Sequence, residues 1–262
     1  MTRLQLIVIC STLLLFGTLT MCKTRSVGQA KAERSRNIEG PTTDMTNLAS
    51  SASVGLTAEV KKNIEAATQA VEAATSDATK AEALKKLSSL WYKAGKMEIA
   101  GNYAIEVAKL EKTAEAWEIA GANLSLAVQQ SVDDAERNRC TKQAATAFEN
   151  AISMQPEDVR HKVNLAVIYT DNPPQDNPMK GILMLRELDT QYPNNVSVLT
   201  QLGRLAIKTG QWEKAITRLE AAQKVAPEND RVACLLLEAY KGAGQTDKSK
   251  ALEGRCEESD TK

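Results

Sequence analysis

The chain has 262 residues, and its 33 basic and 33 acidic side chains give a net charge of zero at neutral pH. This balance provides no overall attraction to nucleic acid or to an anionic membrane surface, so nucleic acid is not expected as a partner. Apolar residues make up 43% of the chain and aromatic residues only 4%, and Ala, Leu, Glu and Lys dominate after residue 57, which favours helices over sheets.

The chain begins with an uncharged apolar run from Leu4 to Cys22. This run is longer than most secretory apolar regions, of about 7–15 residues, and close to the length of about 20 that spans a membrane. Residues 1–22 are therefore predicted to be a signal peptide or a membrane anchor. The four residues Leu-Thr-Met-Cys at 19–22 resemble a bacterial lipobox, which implies lipidation of Cys22, although Met21 stands where a small residue is usual.

Three processing routes stay open for this segment: lipidation at Cys22, an uncleaved anchor, and ordinary signal-peptidase cleavage. Each predicts a domain in the bacterial cell envelope, tethered to the membrane or exported, with a periplasmic location expected. The basic residues that follow the run would instead favour a cytoplasmic domain if the anchor is uncleaved. Residues 23–56 are rich in Ser, Thr, Gly, Ala and charge, and are predicted to be a disordered tether.

The remainder of the chain is predicted to be helical and repetitive. Residues 57–80 are assigned to a capping helix, 81–257 to the repeats, and 258–262 to a disordered tail. The clearest repeat starts at Val196 and has apolar, small and turn residues at fixed offsets, namely Leu202, Gly203, Ala206, Gly210, Ala215, Leu219, Ala222 and Pro227.

This pattern resembles the tetratricopeptide repeat, a helix-turn-helix unit of about 34 residues. Further units start near Ala81, Ala114, Val159 and Asp230. The resemblance implies an all-α fold, an α-solenoid of about five tetratricopeptide repeats with an N-terminal capping helix. Each helix pair needs its neighbours to bury its apolar face, and a proline ends several second helices.

Two repeats contain insertions. Extra residues between Leu126 and Ala144 include Ser131 and Asp134, which look like a capping box and predict longer helices. The second insertion, residues 170–181, contains Pro173 and Pro174 and is predicted to be an irregular loop, either a shaped contact surface or a turn without a special role.

No catalytic, metal or cofactor site is expected from the sequence. The one histidine, His161, is predicted to face solvent, and without a second His or Cys nearby it is not expected to bind metal. Cys234 and Cys256 are predicted either to form a disulfide or to remain separate buried thiols. Trp91 and Trp117 are expected in the core. The chain is therefore predicted to be non-enzymatic, with no small-molecule substrate.

The resemblance also implies a concave groove lined by the first helix of each repeat. The carboxy-terminal half of this groove is basic, which favours a protein or peptide partner with acidic groups. Lys85 fits a position that clamps a terminal carboxylate in some family members, but Ser89 and Ile119 stand where Asn is expected. The predicted partner-binding residues are Lys85, Tyr92, Arg160, Thr200, Arg204, Lys208, Arg231 and Lys241.

Two functions are compatible with these features. The first is an envelope-tethered scaffold that binds a protein or peptide in the groove. The second is an accessory subunit of an envelope machine, of the kind used in cytochrome maturation or outer-membrane assembly. In that case the outer helix faces and the loop 170–181 would form the contacts.

Overall fold

The structure is a computed structural model, and it describes residues 43–257. The predictions for residues 1–42 and 258–262 lie outside these residues. Within the described range the chain forms only helices and their connections. In chain order they are α1 (Thr43–Ala52), α2 (Ala58–Glu72), α3 (Asp77–Lys93), α4 (Met97–Glu111), α5 (Ala114–Gln130), α6 (Asp134–Met154), α7 (Val159–Asp171), α8 (Lys180–Gln191), α9 (Val196–Lys208), α10 (Trp212–Val225), α11 (Asp230–Gly242), α12 (Thr246–Lys250) and α13 (Glu253–Glu257).

From α3 onward the helices pack as consecutive pairs, which confirms the predicted solenoid of five helix-turn-helix units. The turn inside the fourth pair contains Gly210, whose φ of +68° is a left-handed conformation that favours glycine. Pro156, Pro193 and Pro227 each follow the end of a second helix, at α6, α8 and α10. The glycine and proline positions in the sequence therefore mark the turns and ends of the repeat units.

Glycines allow the two helices of a pair to approach closely. A Cβ added at Gly203 of α9 would lie 2.6 Å from Leu219 Cγ of α10. A Cβ at Gly121 of α5 would lie 2.6 Å from the ring of Phe148 on α6. Since real Cβ atoms do not approach other atoms this closely, a side chain at either position would force the helices apart.

The apolar core runs along the array between the paired helices. Trp91 and Trp117 are buried, as predicted, with exposed fractions of 2% and 4%. The first insertion lengthens the second pair, because α5 has 17 residues and α6 has 21. The capping prediction there was wrong: Asp133 caps α6 by accepting from the Glu136 amide, whereas the Ser131 hydroxyl donates to the Ala127 carbonyl.

The predicted boundary between tether and domain is also wrong. Residues 43–52, placed in the disordered tether, form α1, and Met45 in this helix is buried against Ala67, Trp91 and their neighbours. The first repeat begins earlier than expected, since α3 starts at Asp77 with a capping box formed by Ser76 and Thr79. Both shifts add helix to the amino-terminal end of the array.

At the other end, Cys234 and Cys256 form a disulfide with a Cα–Cα distance of 5.4 Å. Cys256 lies on the short helix α13, after the second helix of the last pair, so the bond holds this terminal segment against α11. In the described part of the chain, no helix combines the length and apolar character needed to span a membrane.

Candidate functional site

The first helices of the five pairs, α3, α5, α7, α9 and α11, form what we call the first-helix face. Two adjoining cavities lie at its amino-terminal half. The first, the tyrosine cavity, has a volume of about 420 Å³ and lies between α3, α4 and α5. Tyr92 and Ile119 border it and are 43% and 51% exposed, so apolar surface is available there. Its other lining residues are Lys85, Ser88, Ser89, Ala104, Val107, Glu111, Thr113, Glu115, Ala116 and Asn123.

The second, the histidine cavity, has a volume of about 390 Å³ and lies between α5 and α7. Glu115 and Ile119 line both cavities, so the two are neighbours on the same surface. The histidine cavity is lined by Glu115, Glu118, Ile119, Gln155, Arg160 and His161.

Lys85 is held at the edge of the tyrosine cavity by two carboxylates. Its ammonium lies 3.0 Å from Glu82 Oε1 and 2.5 Å from Glu111 Oε1. The hydrogen bond to Glu111, followed by that to Glu82, raises the pKa of Lys85 above its ordinary value. The charge of this predicted partner-binding residue is therefore already matched within the chain.

Arg160 is likewise paired, with Asp158 at the start of α7. The Asp158 carboxylate accepts hydrogen bonds from the Arg160 guanidinium at 2.7–3.1 Å and from the Arg160 backbone amide at 2.9 Å. The bond to the Arg160 side chain lowers the pKa of Asp158 to about 2. This carboxylate both caps α7 and neutralises the cation at the rim of the histidine cavity.

His161 does not face solvent, as the sequence suggested, but is 1% exposed beneath this cavity. Its Nδ1 lies 3.5 Å from Glu118 Oε2 but has no hydrogen-bond partner among residues 43–257. Its Nε2 lies 3.5 Å from Gln155 Oε1 and 3.7 Å from Asp158 Oδ2. The residue stays inside because Glu118, Gln155 and Asp158 supply polar surroundings from α5 and from the turn before α7.

The basic half of the predicted groove is less open than expected. Arg204 donates two hydrogen bonds of 3.1 Å to Asp171, and Lys241 lies 3.4 Å from Glu253. Lys208 and Arg231 are exposed, and neither forms an ion pair within residues 43–257. These two side chains are the cations of this half whose charge remains available to a partner.

Thr200 was predicted to bind a partner, but the structure places it inside the packing. It is 6% exposed, and its hydroxyl donates a 2.6 Å hydrogen bond to the Val196 carbonyl one turn earlier in α9. Because the side chain points into the packing, it does not present a group to a partner.

The structure brings Lys85 and Tyr92 together in the tyrosine cavity and places Arg160 at the adjoining one. It also shows lining residues that are not among the predicted binding residues, above all Glu115 and Asn123. The sequence does contain a signal for them. Glu115 and Asn123 lie four residues before and after Ile119, and residues four apart share one face of a helix. The described residues include no His, Cys, Asp and Glu grouping able to hold a metal ion.

A third cavity lies away from the first two, beside the second helix α6. This loop cavity, of about 730 Å³, is formed between α6 and the second insertion. Asn172 holds the loop by donating to Thr141 Oγ1 at 2.7 Å and to Asn138 Oδ1 at 3.3 Å. The insertion is thus fixed against α6, and the helix that follows it, α8, starts at Lys180.

Comparison with known protein families finds one matching family model. A model of the tetratricopeptide repeat family matches residues 180–238. No curated protein matches the chain. Among solved structures the chain is similar to BtubC (BKLC) from P. vanneervenii, at 18% identity and a TM-score of 0.47, over 78% of this chain and 91% of that one.

Two other solved structures have lower scores. YrrB, described as a TPR protein with an unusual peptide-binding site, is 16% identical with a TM-score of 0.39, over 74% of this chain and 91% of that one. The TPR domain of P58(IPK) is 15% identical with a TM-score of 0.33, over 72% and 66%. The family match therefore identifies residues 180–238, which lie within the consecutive helix pairs, as tetratricopeptide repeat sequence.

Proposed function

We propose that the chain is a non-enzymatic scaffold that binds a partner protein or peptide along the first-helix face. The observation that carries this proposal is the pair of adjoining cavities that share Glu115 and Ile119. Two exposed apolar side chains, Tyr92 and Ile119, border them and would lose contact with water when a partner docks. Polar groups around the rim supply orientation, as in other peptide-binding clefts.

We also propose that the chain is tethered in the bacterial cell envelope through its first 22 residues. The support is the uncharged run from Leu4 to Cys22 and the lipobox-like residues before Cys22. Labelling cells with a palmitate analogue tests the lipid: wild type should be labelled and Cys22→Ala should not. Membrane association of an unlabelled wild-type protein would point to an uncleaved anchor instead.

Site-specific photo-cross-linking in the native cell tests the binding face. A photoreactive phenylalanine replaces Tyr92 in one variant and Glu213 in another, because Glu213 is an exposed residue on the second helix α10. The proposal predicts a discrete adduct from position 92 and none from position 213. Equal adducts from both positions, or none from position 92, would contradict it.

The loop cavity supports a second candidate, an accessory subunit of an envelope assembly machine. Its support is that Asn172 fixes the insertion against α6, so the surface formed by the loop and α6 has a defined shape. A photoreactive residue in place of Thr146, which lines that cavity, distinguishes the two functions. An adduct from position 146 without one from position 92 would favour the assembly role.

A further inference from the structure

We propose that the amino-terminal half of the first-helix face recognises a basic side chain, Lys or Arg, of an extended partner segment. The basic side chain enters the histidine cavity, and a neighbouring apolar side chain of the same segment enters the tyrosine cavity. This inference rests on the proposed scaffold function and specifies the chemistry of its partner. The charge of this basic side chain is opposite to that of the acidic partner groups that the sequence favours for the carboxy-terminal half of the groove.

The first support is the charge around the histidine cavity. Glu115 and Glu118 line it, and neither is paired with a Lys or Arg within the described chain. Arg160 does not neutralise them, because its guanidinium is bonded to Asp158. The pKa of Arg160 is raised mainly by Asp158. The negative charges of Glu118 and Glu115 also contribute to this rise, so both lie close enough to attract a cation in the cavity. Since Asp158 offsets the charge of Arg160, the two glutamates leave a net negative charge around the cavity, which an incoming cation would meet.

The second support is the buried histidine. His161 lies at the base of the cavity with its Nδ1 unpartnered, and Glu118 Oε2, at 3.5 Å, receives no hydrogen bond from it. Within the part of the chain that the structure describes, the other oxygen of Glu118 accepts one hydrogen bond, of 3.3 Å from Asn164. Lys and Arg side chains carry several N–H donors, so one of them would supply the donor that Glu118 lacks.

The third support is the neighbouring cavity. Lys85 at its edge is already bonded to Glu82 and Glu111, so it does not require a partner carboxylate. Tyr92 and Ile119 are exposed there, and the ring of the one and the alkyl group of the other suit an aliphatic or aromatic side chain. Because Ile119 and Glu115 line both cavities, one short segment can occupy the two at once.

Selection from a library of random dodecapeptides displayed on phage tests this inference on the full chain, purified in mild detergent and immobilised. We expect the bound peptides to be enriched in Lys or Arg beside an apolar residue. Synthetic copies are then measured by fluorescence anisotropy against wild type and the double variant Glu115→Gln with Glu118→Gln. Glutamine keeps one oxygen acceptor for Asn164 and removes the charge, with an NH2 donor in place of the second oxygen.

The double variant should bind the selected peptides about tenfold more weakly, since it lacks both carboxylates that face the cation. The matched control Glu213→Gln, an exposed carboxylate on α10, should bind as wild type does. Binding to wild type should also weaken as NaCl rises from about 0.1 to 1 M, because added salt shortens the range of charge attraction from about 10 to 3 Å. This salt series needs no variant and so tests the inference even if the double variant folds poorly.

Two results would overturn the inference in distinguishable ways. Peptides rich in Asp or Glu that bind the double variant and wild type equally would refute the basic-partner inference and leave the scaffold function standing. A wild-type chain that selects no peptide at all would refute both.

Discussion

Arg204 on α9 donates two 3.1 Å hydrogen bonds to Oδ1 of Asp171 on α7, and so joins the first helices of two consecutive pairs. Both side chains are about three-quarters buried, so the ion pair is better shielded from solvent than a surface pair. A residue expected to bind a partner therefore stabilises the array.

Reversing the charge of Arg204 should destabilise the protein. In Arg204→Glu two carboxylates face each other, and the free energy of unfolding should fall by about 1–2 kcal/mol. Lys208→Glu, at an exposed position without an ion pair in the described chain, should change it by less than about 0.5 kcal/mol. Urea unfolding followed by circular dichroism measures both, and equal effects of the two variants would show that the Arg204–Asp171 pair contributes nothing.

Gly203 should not accept a larger side chain. In Gly203→Ala the new methyl would meet Leu219 Cγ at 2.6 Å, and such overpacking costs about 1–3 kcal/mol, partly offset by a gain of about 1 kcal/mol in helix propensity. We expect a net loss of about 1 kcal/mol in chemical denaturation, the difference between the middle of that overpacking range and the propensity gain. Gly254→Ala is the matched control, because a Cβ there meets nothing within 4 Å and should leave stability equal or slightly higher. A neutral Gly203→Ala would mean that α9 and α10 can separate freely.

The disulfide should stabilise the carboxy-terminal end. Cys234 and Cys256 are 22 residues apart, and closing a loop of this size in the unfolded chain contributes about 3 kcal/mol in the loop-entropy model. Dithiothreitol should therefore lower the midpoint of urea unfolding in wild type, and Cys256→Ser should show the low midpoint with or without reductant. The buried thiol of Cys140 serves as the control, since Cys140→Ala should keep the dithiothreitol effect. If wild type does not respond to reductant, the bond has no stabilising role.

The ion pair at the start of α7 predicts an unusual acid titration. Arg160 lowers the pKa of Asp158 from its ordinary 3.8 to about 2, so the folded state favours the carboxylate. This contribution to stability is complete above about pH 4 and is lost as the pH falls through about 2. Carboxyl carbon NMR should give a midpoint near 2 in wild type and one closer to 3.8 in Arg160→Gln. Arg255→Gln, at a pair elsewhere on the array, should not move the Asp158 midpoint, and an unchanged midpoint in Arg160→Gln would contradict the assignment.

Much of the fold could be predicted because its determinants are local. Gly203, Gly210 and Pro227 each impose a close contact, a turn or a helix end on their own neighbourhood. The helix α1 was missed although Met45, Leu48, Ala49 and Ala52 follow a helical spacing. The segment was predicted to be a linker because Ser and Thr residues surround these apolar positions.

The site was less predictable because its properties depend on contacts between helices. The first-helix positions of Lys85 and Arg204 follow from the repeat, but their carboxylate partners Glu111 and Asp171 lie on other helices. The burial of His161 likewise depends on Glu118, which lies on α5, in the preceding pair. A pattern along one helix cannot show which charges the next helix neutralises.

The binding face itself is tested most directly by hydrogen exchange of the full chain with and without a selected peptide. The scaffold proposal predicts slower exchange in α3 and α5, around residues 88–93 and 115–123, and no change in α6 or in the loop at 172–176. Protection confined to α6 and that loop would contradict it and would assign binding to the loop cavity.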